Sequence, residues 1–275
     1  MPSRVSAAYD VFLTSTAREK DLMNELLLIS VLILMIQGGQ PVGSASGFFY
    51  LKNEKIFLVT NRHVVIDEKQ GLQPTSLRLR LHQDPTDLTK NIDRDVPLYS
   101  VGKPRWHVHP KYSTLGIDVA VVELDQREFS SGVYVKALSS GNFLPDKFVI
   151  NPGEDLMVIG YPRGLSDSVH NLPIVRNALV SSAYGIEFEN APLFIIDANL
   201  HQGMSGSPVL TKPKNIWPDR DGNTNMMVGS PTYFLGIFSA TLSKNTSANQ
   251  QEPLGLGAVW YGRLVEEIID SIAPN

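Results

Sequence analysis

The sequence predicts an all-β fold: two packed β-barrels followed by one closing helix. Three observations carry that expectation. Short apolar runs are bounded throughout by Gly, Pro, Asn and Ser. Strict alternation appears at Leu77, Leu79 and Leu81 against Arg78 and Arg80, the period of a half-buried strand. The clearest helical periodicity, Tyr261, Leu264, Val265, Ile268, Ile269 and Ile272 opposite Arg263, Glu266, Glu267 and Asp270, comes only at the C-terminal end.

Taken in order, residues 1–25 read as an N-terminal appendage, partly helical, with Ser15 or Thr16 available to cap a helix over Thr16–Leu28. Leu26–Ile36 is apolar except for Ser30. It is too short to span a bilayer as a helix, which takes about 20 residues. Its upstream flank mixes Glu19, Asp21 and Glu25 with Arg18 and Lys20, unlike the positive flank of a secretion signal. We expect a retained strand buried on both faces and a cytoplasmic location; export is the alternative if the run is a signal segment. Further strands are expected at Ser46–Leu51, Ile56–Thr60, Leu77–Leu81 and Asp118–Leu124. A second group covers Leu156–Gly160, Val175–Ser182, Leu193–Ala198, Pro208–Thr211, Tyr233–Ala240 and Leu256–Trp260. Residues 126–150, with Ser-Ser-Gly at 139–141, read as a linker, and Lys212–Asn225 as an exposed loop. The expected units are 26–130 for the first barrel and 131–275 for the second, with its closing helix at 261–273.

The bulk properties narrow the function classes. A chain of 275 residues, 43% of them hydrophobic, can bury a substantial core. The net charge of -4, with no basic run, argues against nucleic acid. The absence of cysteine excludes disulfide-dependent folds, thiolate catalysis and zinc–thiolate sites. His107 and His109 form an H-x-H pair with no evident third ligand, so no metal is expected; nor are a nucleotide cofactor and a membrane partner.

Three local patterns bear chemistry. Amide hydrolysis needs a nucleophile, a base, a group that orients the base, and donors for the oxyanion. Gly203-Met204-Ser205-Gly206-Ser207 offers a serine in a glycine turn, with an oxyanion hole drawn from the backbone of Gly203, Met204 and Ser205. His63 ends an apolar run in a Thr60-Asn61-Arg62 context and is the candidate base. Asp118 opens the run to Leu124 and is the candidate orienter. The order His, Asp, Ser separates this set from the subtilisin and α/β-hydrolase orders.

In these motifs the chain resembles a trypsin-like serine peptidase of the chymotrypsin fold, nearest the cysteine-free bacterial, HtrA-like branch. The resemblance is carried by Gly43-Ser44-Ala45-Ser46-Gly47-Phe48, Leu58–Val65, His109-Pro110-Lys111-Tyr112, Val158-Ile159-Gly160-Tyr161-Pro162, Asp197–Ser205 and Leu235–Ser239. It implies two six-stranded antiparallel barrels, the triad His63, Asp118 and Ser205, and a polypeptide substrate. It also places Asn199 at the floor of the primary pocket, with Ser239, Ala240 and Thr241 as one wall, which suits uncharged, small or medium apolar P1 side chains. Ser207 replaces the usual Gly, and no PDZ-like module follows. Met204 stands where digestive relatives carry the Asp that pairs with a processed N-terminus, and Ile36-Gln37-Gly38-Gly39 is only a loose echo of the activation site. Activity without proteolysis is therefore expected. The rival reading is a catalytically silent module that binds peptides.

Overall fold

The computed structural model describes residues 9–11, 25–125, 132–245 and 251–272, with the side chains of 9–11 excepted. Most of the expected appendage, and residues 126–131 of the expected linker, lie outside them. In the N-terminal half the strands are β1 (Tyr9–Val11), β2 (Ser30–Gln37), β3 (Gln40–Lys52), β4 (Lys55–Thr60), β5 (Ser76–His82) and β6 (Asn91–Pro97). There follow β7 (Tyr99–Ser100), β8 (Lys103–Pro104), β9 (Trp106–Val108), β10 (Ala120–Glu123) and β11 (Val135–Leu138). Two helical turns interrupt them, α1 (Arg62–Val65) and α2 (Tyr112–Leu115).

Nine of these strands form a sheet in the order β6-β5-β2-β3-β4-β10-β9, with β11 on β3 and β1 on β11, while β7 and β8 pair only with each other. Six strands were expected. The extra ones come partly from the length of β3. Strand β2 covers one edge of β3 only as far as Phe48, and β11 fills the edge beyond it, pairing parallel to Phe49 and Tyr50. A strand edge left open carries unpaired backbone groups, so a short strand from the expected linker is drawn onto it. The Leu26–Ile36 run is inside this sheet. Its strand, β2, is flanked by β3 and β5 and is buried along most of both faces. Gly38 and Gly39 make the two-residue turn to β3, both at positive φ, as a tight hairpin requires.

The C-terminal half is a closed barrel of six strands, β12-β13-β14-β19-β18-β15. Its members are β12 (Asp155–Gly160), β13 (Ile174–Val180), β14 (Leu193–Asp197), β15 (Pro208–Thr211), β18 (Phe234–Asn245) and β19 (Gln251–Tyr261). A separate hairpin, β16 (Ile216–Pro218) and β17 (Thr224–Met226), occupies the segment expected to be an exposed loop. It is a loop only in composition. Trp217 is fully buried, stacks on Phe148 and meets Tyr233 edge-on. Helix α3 (Arg263–Asp270) starts later than expected because Tyr261 still pairs with Gly236 as part of β19. Among the described residues no helix is long and apolar enough to cross a membrane.

The core that matters most lies between the halves. Phe48, Tyr50, Val59 and Val121 from the first sheet pack with Met157, Ile159, Leu210 and Ile237 from the barrel, and with Leu264, Val265 and Ile268 from α3. The helix reaches across to the opposite half. Tyr50 Oη donates to Glu266 at 2.7 Å, His109 Nε2 to Glu267 at 2.9 Å, and Lys52 pairs with Asp270 at 2.7 Å. The loop between β12 and β13 makes a second tie, through Asn171 Nδ2 to the Arg80 carbonyl and His82 Nε2 to the His170 carbonyl. Apolar burial brings the halves together, and these directional bonds fix their register.

Candidate active site

Three expected residues meet at the seam between the halves. His63 does not end a strand; it sits on the turn α1, just after β4. Asn61 is extended and stops β4, and the chain then coils so that the His63 N–H and ring face Asp118. Asp118 stands two residues ahead of β10, between buried Ile117 and Val119. Its main-chain carbonyl accepts from Asn61 Nδ2 at 2.6 Å. Ser205 lies on the loop from β14 to β15, in the other half.

The Asp118 carboxylate is the hub. Oδ1 accepts the His63 backbone N–H at 3.0 Å. Oδ2 accepts His63 Nδ1–H at 2.7 Å and the Ser239 hydroxyl at 2.7 Å. This set holds the ring in the tautomer whose Nε2 is a free acceptor, the form a general base needs. Burial disfavours the His63 cation, but the Asp118 hydrogen bond and charge outweigh it, and the imidazole pKa is raised above its ordinary 6.5. Ser205 Oγ donates to the Ser239 carbonyl at 3.1 Å and not to His63. Attack through His63 therefore requires a rotation of the Ser205 side chain.

The turn before Ser205 is tightly specified. Met204 N–H donates to the His201 carbonyl at 3.2 Å, closing a turn whose third residue, Gly203, has φ +88°, the type II arrangement that favours glycine. Any side chain there would also collide with the Tyr161 carbonyl, 2.5 Å from a built Cβ. The Gln202 carbonyl accepts the Arg163 N–H at 2.6 Å. Because a trans peptide is planar, this contact points the Gly203 N–H the opposite way. The Met204 carbonyl likewise accepts the Ser207 N–H at 3.0 Å and so orients the Ser205 N–H. The Gly203 and Ser205 N–H groups are thus the candidate donors. Met204 is not a third one, because its N–H closes the turn. Its side chain, fully buried, packs in the barrel core with Leu200, Val209 and Phe238. That hydrophobic anchor occupies the position where digestive relatives use an ion pair, a role the sequence hinted at only by the absence of Asp.

The expected pocket residues divide. The Ala198 N–H bonds the Gly255 carbonyl, and Thr241 pairs with Gly257, which sets the backbones of 198, 241 and 255–257 close together. Ala240 and Thr241 are exposed. The Ser239 hydroxyl is turned to Asp118, and its carbonyl accepts from Ser205 Oγ. Asn199 is exposed, and its carbonyl takes Arg176 Nη2 at 2.6 Å. Arg176 was not foreseen. It opposes buried Val158 and lies on the same face of β13 as Ala178 and Val180. The H-x-H pair is accounted for at His109, whose Nδ1 accepts from Lys111 N–H while Nε2 binds Glu267. No cluster of three metal-ligating side chains occurs among the described residues.

The raised pKa has a sign that can be measured. If His63 acts as a base, activity rises with pH on a limb whose midpoint lies above about 6.5, where the ring loses its proton. Asp118→Asn removes the two larger influences that raise the pKa and leaves the burial that lowers it, opposed only by the smaller effect of the Asp67 charge. The limb is then expected to move to lower pH, with a loss of kcat on the order of 10⁴-fold. The same group contributes stability that is full below about pH 6.5 and is lost as pH rises through the folded value. A kcat profile flat between pH 5 and 9 contradicts the base assignment.

The sequence matches the trypsin-like peptidase domain family over residues 45–215. No curated protein matches. Among solved structures, the serine endoprotease from Yersinia pestis is similar at a TM-score of 0.52 and 13% identity, over 93% of this chain and 66% of that one. This chain thus spans just under two thirds of that relative. The inactive form of the Rv3671c protease is more distant, at a TM-score of 0.44 and 16% identity over 90% of each chain. The family match contains His63, Asp118 and Ser205 with the turn before the serine, and the chain is a member of the trypsin-like peptidase family.

Proposed function

We propose that this protein is a serine endopeptidase that cleaves polypeptides with His63, Asp118 and Ser205 as its triad. The observation that carries the reading is the Asp118 carboxylate, which binds the base from one half of the molecule and the Ser239 hydroxyl from the other. In this mechanism Ser205 Oγ turns to His63, gives its proton to Nε2 and attacks the substrate carbonyl carbon. The carbonyl oxygen becomes an oxyanion held by the Gly203 and Ser205 N–H groups. His63 then passes the proton to the leaving amine, and the amide C–N bond breaks. Water repeats the sequence on the acyl-enzyme and frees Ser205. Asp118 keeps Nδ1 protonated and stabilises the imidazolium without itself taking the proton.

The turn is ordered in the uncut chain by its own hydrogen bonds and by buried Met204, so the protein is expected to work as synthesised. A fluorophosphonate probe should label Ser205 in intact, mass-verified protein, and Ser205→Ala should abolish both labelling and hydrolysis while leaving the circular dichroism unchanged. Failure of the intact folded protein to react favours the silent peptide-binding reading.

The pocket borders supply a second expectation. Gly255 has open space beside it, Ala240 and Thr241 are small, and Arg176 places a cation at the Asn199 carbonyl. Among the described residues no carboxylate lies within ion-pair distance of Arg176 to neutralise it. Desolvating Lys or Arg beside it is costly. We expect small or medium uncharged P1 residues, with Lys and Arg disfavoured at least 10-fold, about 1.4 kcal/mol. Cleavage profiling on a peptide library checks this; a dominant P1 Lys or Arg refutes it.

A further inference from the structure

Ser46 is a fully buried serine on β3, and every polar atom it carries is spoken for. Its N–H donates to the Ser205 carbonyl at 2.9 Å. Its carbonyl accepts from Thr60 Oγ1 at 2.8 Å. Its hydroxyl donates to the Gly203 carbonyl at 2.8 Å and accepts the Tyr161 N–H at 2.9 Å. Three of these four partners belong to the opposite half of the molecule. The hydroxyl therefore joins the first sheet to the turn that presents the Gly203 N–H.

Gly203 is flanked by two peptide planes. The plane before it is set by the Arg163 N–H on the Gln202 carbonyl, and the plane after it by Ser46 Oγ on the Gly203 carbonyl. Removing the hydroxyl leaves a buried carbonyl without its donor, and a turn in that condition gains a reason to rotate. The neighbourhood is arranged around this hydroxyl. A Cβ at Gly160 would lie 2.6 Å from Ser46 Oγ and 2.0 Å from Ser207 Oγ, so the absence of a side chain at 160 gives both hydroxyls their space.

We propose that Ser46 is a positioning residue, whose hydroxyl sets the angle at which the Gly203 and Ser205 N–H groups meet the oxyanion. The proposal rests on the serine-peptidase reading above. Its effect belongs to the transition state: the substrate carbonyl needs those donors most when it carries charge.

The test uses the full chain with Ser46→Ala and, as a near-isosteric partner, Ser46→Cys, whose thiol is a poor donor. Folding is checked by circular dichroism and thermal unfolding. In either folded variant kcat should fall roughly 10- to 100-fold, a fraction of the loss seen when an oxyanion donor is removed outright. KM should stay within about 3-fold, and affinity for a peptide aldehyde, which forms a tetrahedral adduct, should fall in step with kcat. The pH limb should not move, because the His63–Asp118 pair is untouched. Four results overturn the proposal: kcat within 2-fold of wild type, a loss carried by KM, unchanged aldehyde affinity, or failure of both variants to fold. A wild type that neither hydrolyses peptides nor takes up a fluorophosphonate removes the parent reading and this one together. An active wild type beside unchanged variants removes this one alone.

Discussion

The candidate base His63 and its partner Asp118 lie in one half of this molecule and the candidate nucleophile Ser205 in the other, so the proposed site exists only while the seam between them keeps its register. Apolar burial alone does not supply that register, because it is nondirectional. The directional part comes from hydrogen bonds that cross the seam at the site itself: Ser239 to Asp118, the Ser46 N–H to the Ser205 carbonyl, and the Ser46 hydroxyl to the Gly203 carbonyl. Further out, α3 and the β12–β13 loop reinforce them through Glu266, Glu267, Asp270 and Asn171. The closing helix thus clasps the half to which it does not belong.

The same economy of contacts explains the Ser205 turn. Each peptide plane in it is held by its carbonyl, and planarity transmits that constraint to the N–H on the other side. Met204 adds a hydrophobic root. An ion pair in that position would need a processed terminus and would lose charges to desolvation. A buried methionine needs neither. Here the position holds a buried methionine, and the Leu26–Ile36 run is enclosed inside the first sheet as β2.

Much of this was legible in the sequence where the signal is local. The alternation at Leu77–Leu81 is β5, and the His, Asp and Ser motifs converge because each sits where a strand or turn delivers it. What escaped was decided by partners distant in the chain. Strand β6, Asn-Ile-Asp-Arg-Asp-Val-Pro, reads as polar loop, yet it pairs with β5 and sets Asp95 against Arg78 at 2.7 Å. Lys136 in β11 looks like a surface residue but is buried with Glu25 as an ion-pair partner. Trp217 hides in a Pro- and Gly-rich stretch because its pocket is made by Phe148 and Tyr233. His63 sits on a helical turn, since the Asp118 carboxylate, 55 residues away, captures its N–H. Arg176 had no motif at all, and the antiparallel pairing of β13 with β14 brings it to Asn199.

In the proposed mechanism the uncut chain already holds its oxyanion turn in working order. The most direct measurement is a crystal structure of intact protein with a peptide aldehyde on Ser205, compared with the unliganded crystal. The adduct oxygen is expected within hydrogen-bond reach of the Gly203 and Ser205 N–H groups, with the backbone of 198–206 unchanged and the Gln202 carbonyl still on the Arg163 N–H. A Gln202–Gly203 peptide that flips on binding, or that lies flipped in the unliganded protein, would contradict it.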